Sequence, residues 1–237
     1  MYSISVVIAS YNGEKYIKKQ IESIVCQLKD TDELIISDDG SIDKTRDIVL
    51  EMANSDSRIK LIDGPQKGYN KNFENAIIHT KNDYVFISDQ DDEWMPNKVE
   101  SVLKYFDDKT MCIRHDAIVV DGKGEVIIPS YNEYRNANTN YKKNIIKNTF
   151  TGCCMCVKRD WLVQLLPFPQ DVFYDAWIGI LSCKFKCSKI ISDKLIKWCR
   201  HDGTVTKLRR NNLMWIIKDR IKLHKQIRKK VKTIWKV

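Results

Sequence analysis

Tyr84-Val-Phe-Ile-Ser-Asp-Gln-Asp-Asp-Glu-Trp94 is an apolar run that switches abruptly to carboxylates. Tyr84 to Ile87 have high strand propensity, and Asp89, Asp91, Asp92 and Glu93 follow at once. Like charges ~4 Å apart cost about 1 kcal/mol in water and several-fold more near a protein surface. A cluster of hard oxygen ligands at a strand end therefore points to Mg²⁺ or Mn²⁺, completed by phosphate oxygens. The same residues also read as an acidic loop before a helix starting near Pro96, where Asp91 to Glu93 favour the positive helix end. The surrounding chain decides between the two.

Upstream, apolar β-rich runs alternate with helical spacing. Ser5 to Ser10 suits a central parallel strand, and Tyr11-Asn12-Gly13 a turn. Glu14 to Leu28 has its apolar residues at helical spacing. Glu33 to Ser37 is a second strand ending at Asp38-Asp39-Gly40-Ser41, and Asp43 to Ala53 a second helix. Arg58 to Ile62, Asn72 to Thr80 and Tyr84 to Ser88 complete the series as strand, helix and strand. The expectation is an α/β fold with a mostly parallel, Rossmann-like sheet, right-handed crossovers and flanking helices. Such sheets bind ligands at the carboxyl ends of their strands. The polar clusters Ser10-Tyr11-Asn12, Asp38-Asp39 and Asp89-Gln90-Asp91 all fall there, as a nucleotide–metal site requires.

Downstream, the spacing predicts a helix over 96–106, a strand over 111–120 and a hairpin return over 125–128. Residues 129–144 are rich in Asn, Tyr and Lys and read as an exposed loop. A strand over 152–157, helices over 159–166 and 175–184, and a final hairpin of 189–191 with 195–199 follow.

The chain has 237 residues, 43% of them hydrophobic and 30% charged, a globular composition. Its net charge of +9 is unevenly spread: residues 207–237 hold 12 Lys/Arg against the single acid Asp219, and the rest is slightly acidic. This excludes a nucleic-acid-binding body and marks a basic appendage with its own partner. The 8 cysteines sit mostly in apolar runs without paired C-x-x-C units, which suits buried, reduced thiols. A soft-metal site at Cys153-Cys154-Met-Cys156 is the alternative, against which stand the divergent directions of adjacent cysteines and the absence of the usual zinc spacing. Met1 to Ala9 shows no basic leader or cleavage site, and no apolar run approaches the ~20 residues that span a bilayer. The expectation is a cytoplasmic body.

Three stretches carry a resemblance. Ile4-Ser-Val-Val-Ile-Ala-Ser-Tyr-Asn-Gly13, Glu33-Leu-Ile-Ile-Ser-Asp-Asp-Gly-Ser-Ile-Asp-Lys-Thr45 and Asp83 to Trp94, in this order and spacing, resemble the family 2 glycosyltransferases of the GT-A fold, most closely rhamnosyltransferase-like bacterial enzymes. The likeness runs over roughly residues 3–205. It implies a glycosyltransferase domain over 1–206, with a nucleotide-binding half (1–95) and an acceptor-binding half (96–206), and a tail over 207–237.

The resemblance assigns Ala9 and Tyr11 to the nucleotide pocket, Tyr11 as a stacking ring or a capping aromatic. One carboxylate of Asp38 and Asp39 would accept the N3–H of uracil or thymine, or the pair forms an Asx turn around Gly40-Ser41. Lys71 falls near the nucleotide or is a solvated helix charge. Asp89 and Asp91 match the D-x-D pair, Asp91 as the leading ligand of Mn²⁺ or Mg²⁺ and Asp89 contacting ribose or metal. Asp92 would support the metal or cap a helix. Phe173-Tyr-Asp-Ala-Trp-Ile178 resembles the segment supplying the general base of an inverting enzyme, Asp175, which also suits a helix N-cap. Trp177 is core or a sugar platform. Trp198-Cys-Arg-His-Asp-Gly203 resembles the late Tyr-Arg-x-His-Gly segment, making His201 a metal or diphosphate ligand and Arg200 a phosphate clamp. It departs in Trp198, in the adjacency of Arg200 and His201, and in Asp202. The Gln-x-x-Arg-Trp signature of polysaccharide synthases is absent, which favours single-sugar transfer.

The implied donor is a UDP- or dTDP-sugar, dTDP-L-rhamnose leading on resemblance, and the acceptor a glycan or polyprenyl-linked sugar of bacterial surface-polysaccharide assembly. From Asn212 onward, Leu213, Ile217, Ile221, Ile227, Val231 and Ile234 recur at helical spacing, with His224 in the stripe and Trp215 and Trp235 flanking it. This reads as a basic amphipathic helix for the inner leaflet, or a helix docked on the domain with a solvated outer face. Two rivals are weighed. A nucleotidyltransferase needs a Gly-rich basic loop that Ser10 to Glu14 lacks; the other is a non-catalytic sugar-nucleotide or membrane-binding module.

Overall fold

The computed structural model describes residues 2–200 and 213–234. Its first half runs β1 (Ile4–Ser10), α1 (Ile17–Val25), β2 (Glu33–Asp38), α2 (Thr45–Ser55), β3 (Ile59–Asp63), α3 (Tyr69–Ile78) and β4 (Tyr84–Ser88). Its second half runs β5 (Glu93–Trp94), α4 (Lys98–Leu103), β6 (Cys112–Val120), β7 (Val126–Ile128), α5 (Tyr131–Arg135), α6 (Tyr141–Ile146), a 3₁₀ turn at Gly152–Cys154, β8 (Met155–Lys158), α7 (Arg159–Gln164), α8 (Tyr174–Lys184), β9 (Ser188–Cys199) and α9 (Leu213–Ile234).

The strands form one mixed sheet of order β3-β2-β1-β4-β8-β6-β9-β5, with β7 on β6. The β3-β2-β1-β4 portion is parallel, as the alternating sequence pattern predicts. β1, β2 and β4 bury nearly every residue and are mainly apolar, while the edge strand β3 leaves Lys60 and Asp63 exposed. Side chains alternate between layers: Val6 and Ile8 pack with Ile17, Ile21 and Ile24 of α1, while Val7 packs with Phe73, Ala76 and Ile77 of α3. Each such Ile or Val contributes roughly 1.5–3 kcal/mol relative to exposure. All 8 cysteines are free, and Cys112, Cys153, Cys154, Cys156 and Cys183 are buried, as the apolar runs suggest.

The second half corrects several expectations. Residues 129–144 are not an exposed loop: they hold α5 and α6, whose N-caps are Ser130, accepting from Glu133 N–H, and Asn140, accepting from Lys143 N–H. Tyr131 and Asn144 anchor them in the interior. The expected final hairpin is one strand. β9 runs parallel to β6, and its polar Ser192-Asp193-Lys194 lies at a register shift instead of a turn. A strand the apolar pattern does not announce, β5, pairs antiparallel with β9 through Glu93↔Lys197 and Trp94↔Ile196. It takes the place of the helix start expected after the acids, and α4 begins only at Lys98.

The later part of the C-terminal helix packs on the domain. Leu223 and Ile227 are buried in the same layer as α3 and α8, and Val231 and Ile234 pack against it. Lys230 Nζ donates to Leu166 O at 2.6 Å, and Lys222 pairs with Asp171 at 2.8 Å. Of the helix's apolar stripe, Ile221 stays 52% exposed. The outer face presents Lys222, Lys225, Arg228, Lys229 and Lys232. Among the described residues, no helix is long and apolar enough to cross a membrane.

Candidate active site

β1, β2 and β4 end side by side, and the residues just beyond them differ sharply in how their charge is satisfied. At β2, Asp38 is buried and fully engaged. It accepts from Ser10 Oγ at 2.9 Å, Ser41 N at 2.8 Å, Ser41 Oγ at 2.6 Å and Arg46 Nη1 at 3.3 Å. Burial opposes its charge, yet these bonds hold the carboxyl below its ordinary value. Asp39, half-exposed, accepts from Gln66 N at 2.7 Å and Gly68 N at 2.9 Å and so fixes the loop leading into α3. Of the two acids, Asp39 alone keeps solvent access.

The turn after β1 is locked to the turn after β4. Tyr11 N–H donates to Gln90 Oε1 at 3.0 Å, and Gln90 Nε2 donates to Tyr11 O at 3.0 Å. A Cβ at Gly13 would strike the Gln90 amide, so the close approach needs glycine. The Tyr11 ring is 56% exposed, and Ala9 is half-buried beneath this turn. Lys71, on α3, is paired with Glu74 at 2.9 Å.

Asp89 and Asp92, after β4, are not satisfied in this way. Oxygens of Asp89 and Asp92 and the sulfur of Cys153 lie within 4.8 Å of one another. Asp92 is 3% exposed; one oxygen accepts from Cys199 N at 3.2 Å and the other has no partner. Burial first, then the charges of Asp91 and Asp175, push Asp89 up to about 7. Burial, Asp89 and Asp91 push Asp92 well above the carboxylate range. Asp91, the leading ligand from sequence, lies outside the tight group but close enough to raise both neighbours. Asp92 caps no helix; it is tied to the end of β9. Glu93 leaves the cluster through ion pairs to Lys19 at 2.9 Å and Lys197 at 3.3 Å.

Behind the acids lies a buried cation. Lys98 Nζ donates to Cys153 O at 3.1 Å and sits 4.0 Å from the centre of the Trp94 ring. Burial lowers its pKa to about 8.

Asp175 enters from the other side, in the first turn of α8. Phe173 is the N-cap; Asp175 Oδ1 accepts from Ala176 N at 2.6 Å. Burial raises Asp175 to about 6, against the pull of that N–H and of Arg135 and Arg114. Its charge acts on Asp89 and on the phenols of Tyr69 and Tyr174. Gly152 lets Tyr174 close on the 3₁₀ turn, because a Cβ there would overlap its ring and hydroxyl. Trp177 is 2% exposed and donates to Leu165 O at 2.9 Å, so it is core and not a platform.

Arg200 donates its N–H to Val120 O at 2.8 Å, and its guanidinium lies 5.2 Å from the Trp198 ring centre. Its neighbour Cys199 holds Asp92, which brings the end of β9 to the acids. His201 lies outside the described residues.

This donor set fits a hard divalent ion. The Asp92 oxygen without a partner is a buried acceptor awaiting a cation or proton, and Asp89 and Asp91 add oxygens beside it. A hydrogen bond with Cys154, then burial, then the charges of Asp92 and Asp89 push the Cys153 thiol well above its ordinary value, which suits a hydrogen-bond donor to Asp89 better than a thiolate ligand. Sequence reasoning misses Lys98, Tyr69, Arg114 and Arg135 here, places Gln90 only as part of a polar cluster, and weighs Cys153 only as part of a soft-metal run. Only Gln90, inside the acidic run, carries a local signal.

Comparison with known proteins accords with this arrangement. Residues 5–166 match the family model "Glycosyl transferase family 2". The chain belongs to that family. It is 29% identical over 201 residues to the UDP-Glc:alpha-D-GlcNAc-diphosphoundecaprenol beta-1,3-glucosyltransferase WfgD of Escherichia coli, covering 79% of this chain and 76% of that one. Among solved structures, S. aureus TarS 1-349 with UDP-GlcNAc superposes with a TM-score of 0.69 at 16% identity, over 92% of this chain and 64% of that one. The Pyrobaculum calidifontis mannosyltransferase PcManGT with GDP-Man and Mn2+ gives 0.63 at 21% identity, over 81% and 54%. These likenesses establish a GT-A fold.

Proposed function

We propose that the chain is an inverting, divalent-metal-dependent transferase. It would move one sugar from a UDP- or dTDP-sugar to a hydroxyl of a glycan or polyprenyl-linked acceptor in bacterial surface-polysaccharide assembly. The observation that carries the reading is that Asp175, raised to about 6, acts on Asp89, which lies beside Asp92 and its unpartnered buried oxygen. The WfgD and TarS descriptions support a uridine donor and a lipid-diphosphate acceptor. dTDP-L-rhamnose stays within the donor set, since a carboxylate that accepts N3–H does not separate uracil from thymine.

In this reading the Tyr11 ring stacks on the base and half-exposed Asp39 accepts its N3–H, with Asp38 holding the turn. Ala9 lines the pocket floor, and the Gln90 lock keeps the turn open for the nucleotide. Asp89, Asp91 and Asp92 would hold Mn²⁺ or Mg²⁺, joined by His201. The bound ion supplies positive charge to the departing nucleoside diphosphate. Lys71 and Arg200 add cationic reach toward the phosphates. Asp175 accepts the proton of the acceptor hydroxyl as that oxygen attacks the anomeric carbon from the face opposite the leaving group. A base near 6 is mostly ionised at neutral pH yet basic enough to take a proton late in the transition state.

The basic outer face of α9 rests on an anionic inner leaflet by charge alone, each cation contributing roughly 1 kcal/mol before screening. The site is thus peripheral to the cytoplasmic membrane face. A nucleotidyltransferase is disfavoured by the Ser10 to Glu14 turn, which has no basic Gly-rich loop, and by the family assignment.

Thermal-shift titration with UDP, dTDP and GDP, with and without Mn²⁺, tests the donor site. UDP or dTDP should stabilise strongly only with the metal. Asp175→Asn should keep that shift and lose turnover of a sugar nucleotide by about 10²–10⁴-fold. Retained turnover would remove Asp175 from the mechanism, and no nucleotide shift at all would favour a non-catalytic module.

A further inference from the structure

Trp177, the aromatic that sequence offers as a sugar platform, is core, but two other rings beside Asp175 are open. Phe173 is 61% exposed and Tyr69 36% exposed. Their ring centres are 5.9 Å apart with planes 33° apart, so they form one shallow wall. Tyr69 opens α3 in the nucleotide-binding half, and Phe173 caps α8 two residues before Asp175.

The wall is rigid. Asn70 Nδ2 donates to Val172 O at 2.7 Å and Pro169 O at 3.4 Å, and Tyr174 N–H donates to Asn70 Oδ1 at 3.1 Å. Tyr174 is buried behind it, 4.3 Å between ring centres from Phe73. Three hydrogen bonds from one side chain therefore hold the strap that carries Phe173. The two exposed rings leave an apolar face open to contact with a ligand. The charges of Asp175 and Asp89 both reach Tyr69, so the wall stands where the two halves of the site meet.

We propose that Tyr69 and Phe173 form the acceptor-sugar subsite, the C–H face of the acceptor ring lying on the two aromatic rings while its hydroxyl is presented to Asp175. This rests on Asp175 being the proton acceptor. The reaction selects a sugar ring as occupant: the acceptor hydroxyl must reach Asp175, and Phe173 stands two residues before it with Tyr69 against its ring. Aromatic faces contribute on the order of 1 kcal/mol per stacked contact, about fivefold in affinity.

Saturation-transfer difference NMR on the full chain with UDP and Mg²⁺ tests the subsite. The probes are the methyl glycosides of glucose, N-acetylglucosamine and rhamnose. Ring protons of at least one probe should be enhanced in the wild type and in Phe173→Trp, and weakened about fivefold or more in Phe173→Ala. No ring enhancement in the wild type, or an equal one in Phe173→Ala, would overturn the assignment. Octyl glucoside enhanced on its chain protons alone would give the wall to lipid and also overturn it. Asp175→Asn with sugar nucleotide separates the two readings: turnover retained there removes the base, whereas an unchanged Phe173→Ala signal removes only the platform.

Discussion

The acidic turn after β2 and the acidic turn after β4 look alike in sequence, yet the fold treats them oppositely. Asp38 is buried with Ser10, Ser41 and Arg46 around it, and its pKa falls. Asp89 and Asp92 lie side by side in the charge of Asp91, and Asp89 also in that of Asp175, with one Asp92 oxygen lacking any partner, and their pKa values rise. Burial opposes the charge in both places; the supply of donors decides the sign. The first turn is complete as protein, while the second leaves a buried oxygen open to a cation or a proton. Scaffold and proposed reaction centre thus differ in their supply of donors.

The largest consequence concerns Asp38. Asp38→Ala removes an acceptor that several donors share and should destabilise the protein by about 3 kcal/mol, metal or no metal, by denaturant titration. A loss under about 1 kcal/mol would end the view of that turn as scaffold.

The two turns should also have opposite pH signatures. Asp89, ordinary near 3.8 and about 7 when folded, makes the native state bind more protons between those values. Stability of the metal-free protein therefore falls as pH rises from about 4 to about 7 and levels above that. Asp38, lowered in the fold, adds stability above its ordinary value of 3.8 that is lost as pH falls through the lower folded value. Thermal melts across pH should show the fall toward neutrality, and saturating Mn²⁺ should abolish it. A metal-free stability that climbs from pH 4 to 7 would contradict the unsatisfied cluster.

A smaller effect sharpens the same contrast. Asp89→Asn removes one of the repelling charges and should stabilise the metal-free protein by roughly 1 kcal/mol while losing most of its Mn²⁺-induced shift. A variant destabilised without metal and still shifted by Mn²⁺ would place Asp89 with the scaffold.

The smallest effect lies outside both turns. Lys225→Glu with Lys229→Glu on the outer face of α9 should weaken binding to phosphatidylserine vesicles at least tenfold in low salt, with melting unchanged. Deleting α9 is not equivalent, because it would uncover Leu223 and Ile227. Unaltered vesicle binding would detach the tail from the membrane.

Sequence revealed the scaffold turn and the parallel half more fully than the reaction centre. β1, β2 and β4 are continuous apolar strands ending in polar clusters, and local pattern suffices to find them. β5 has two residues and exists only because β9 lies alongside. The α5 and α6 helices carry Ser130 and Asn140 caps, but their polar, Asn-rich composition hides the helical pattern. The Lys98 contact to Cys153 joins residues 55 apart, and Cys153 sits in an apolar run that reads as core. The D-x-D acids were visible as a cluster; that Asp92 faces inward and Glu93 outward depends on β9 supplying Cys199 N–H and Lys197.

The central claim is best tested by a crystal of the full chain grown with Mn²⁺ and UDP or dTDP, read by anomalous scattering at the manganese edge. The account predicts a peak bridging the nucleotide diphosphate and the oxygens of the β4 turn, with Asp38 still bound to Ser41 and Arg46. A nucleotide bound with no manganese at Asp89, Asp91 or Asp92, or manganese at the β2 turn instead, would contradict it.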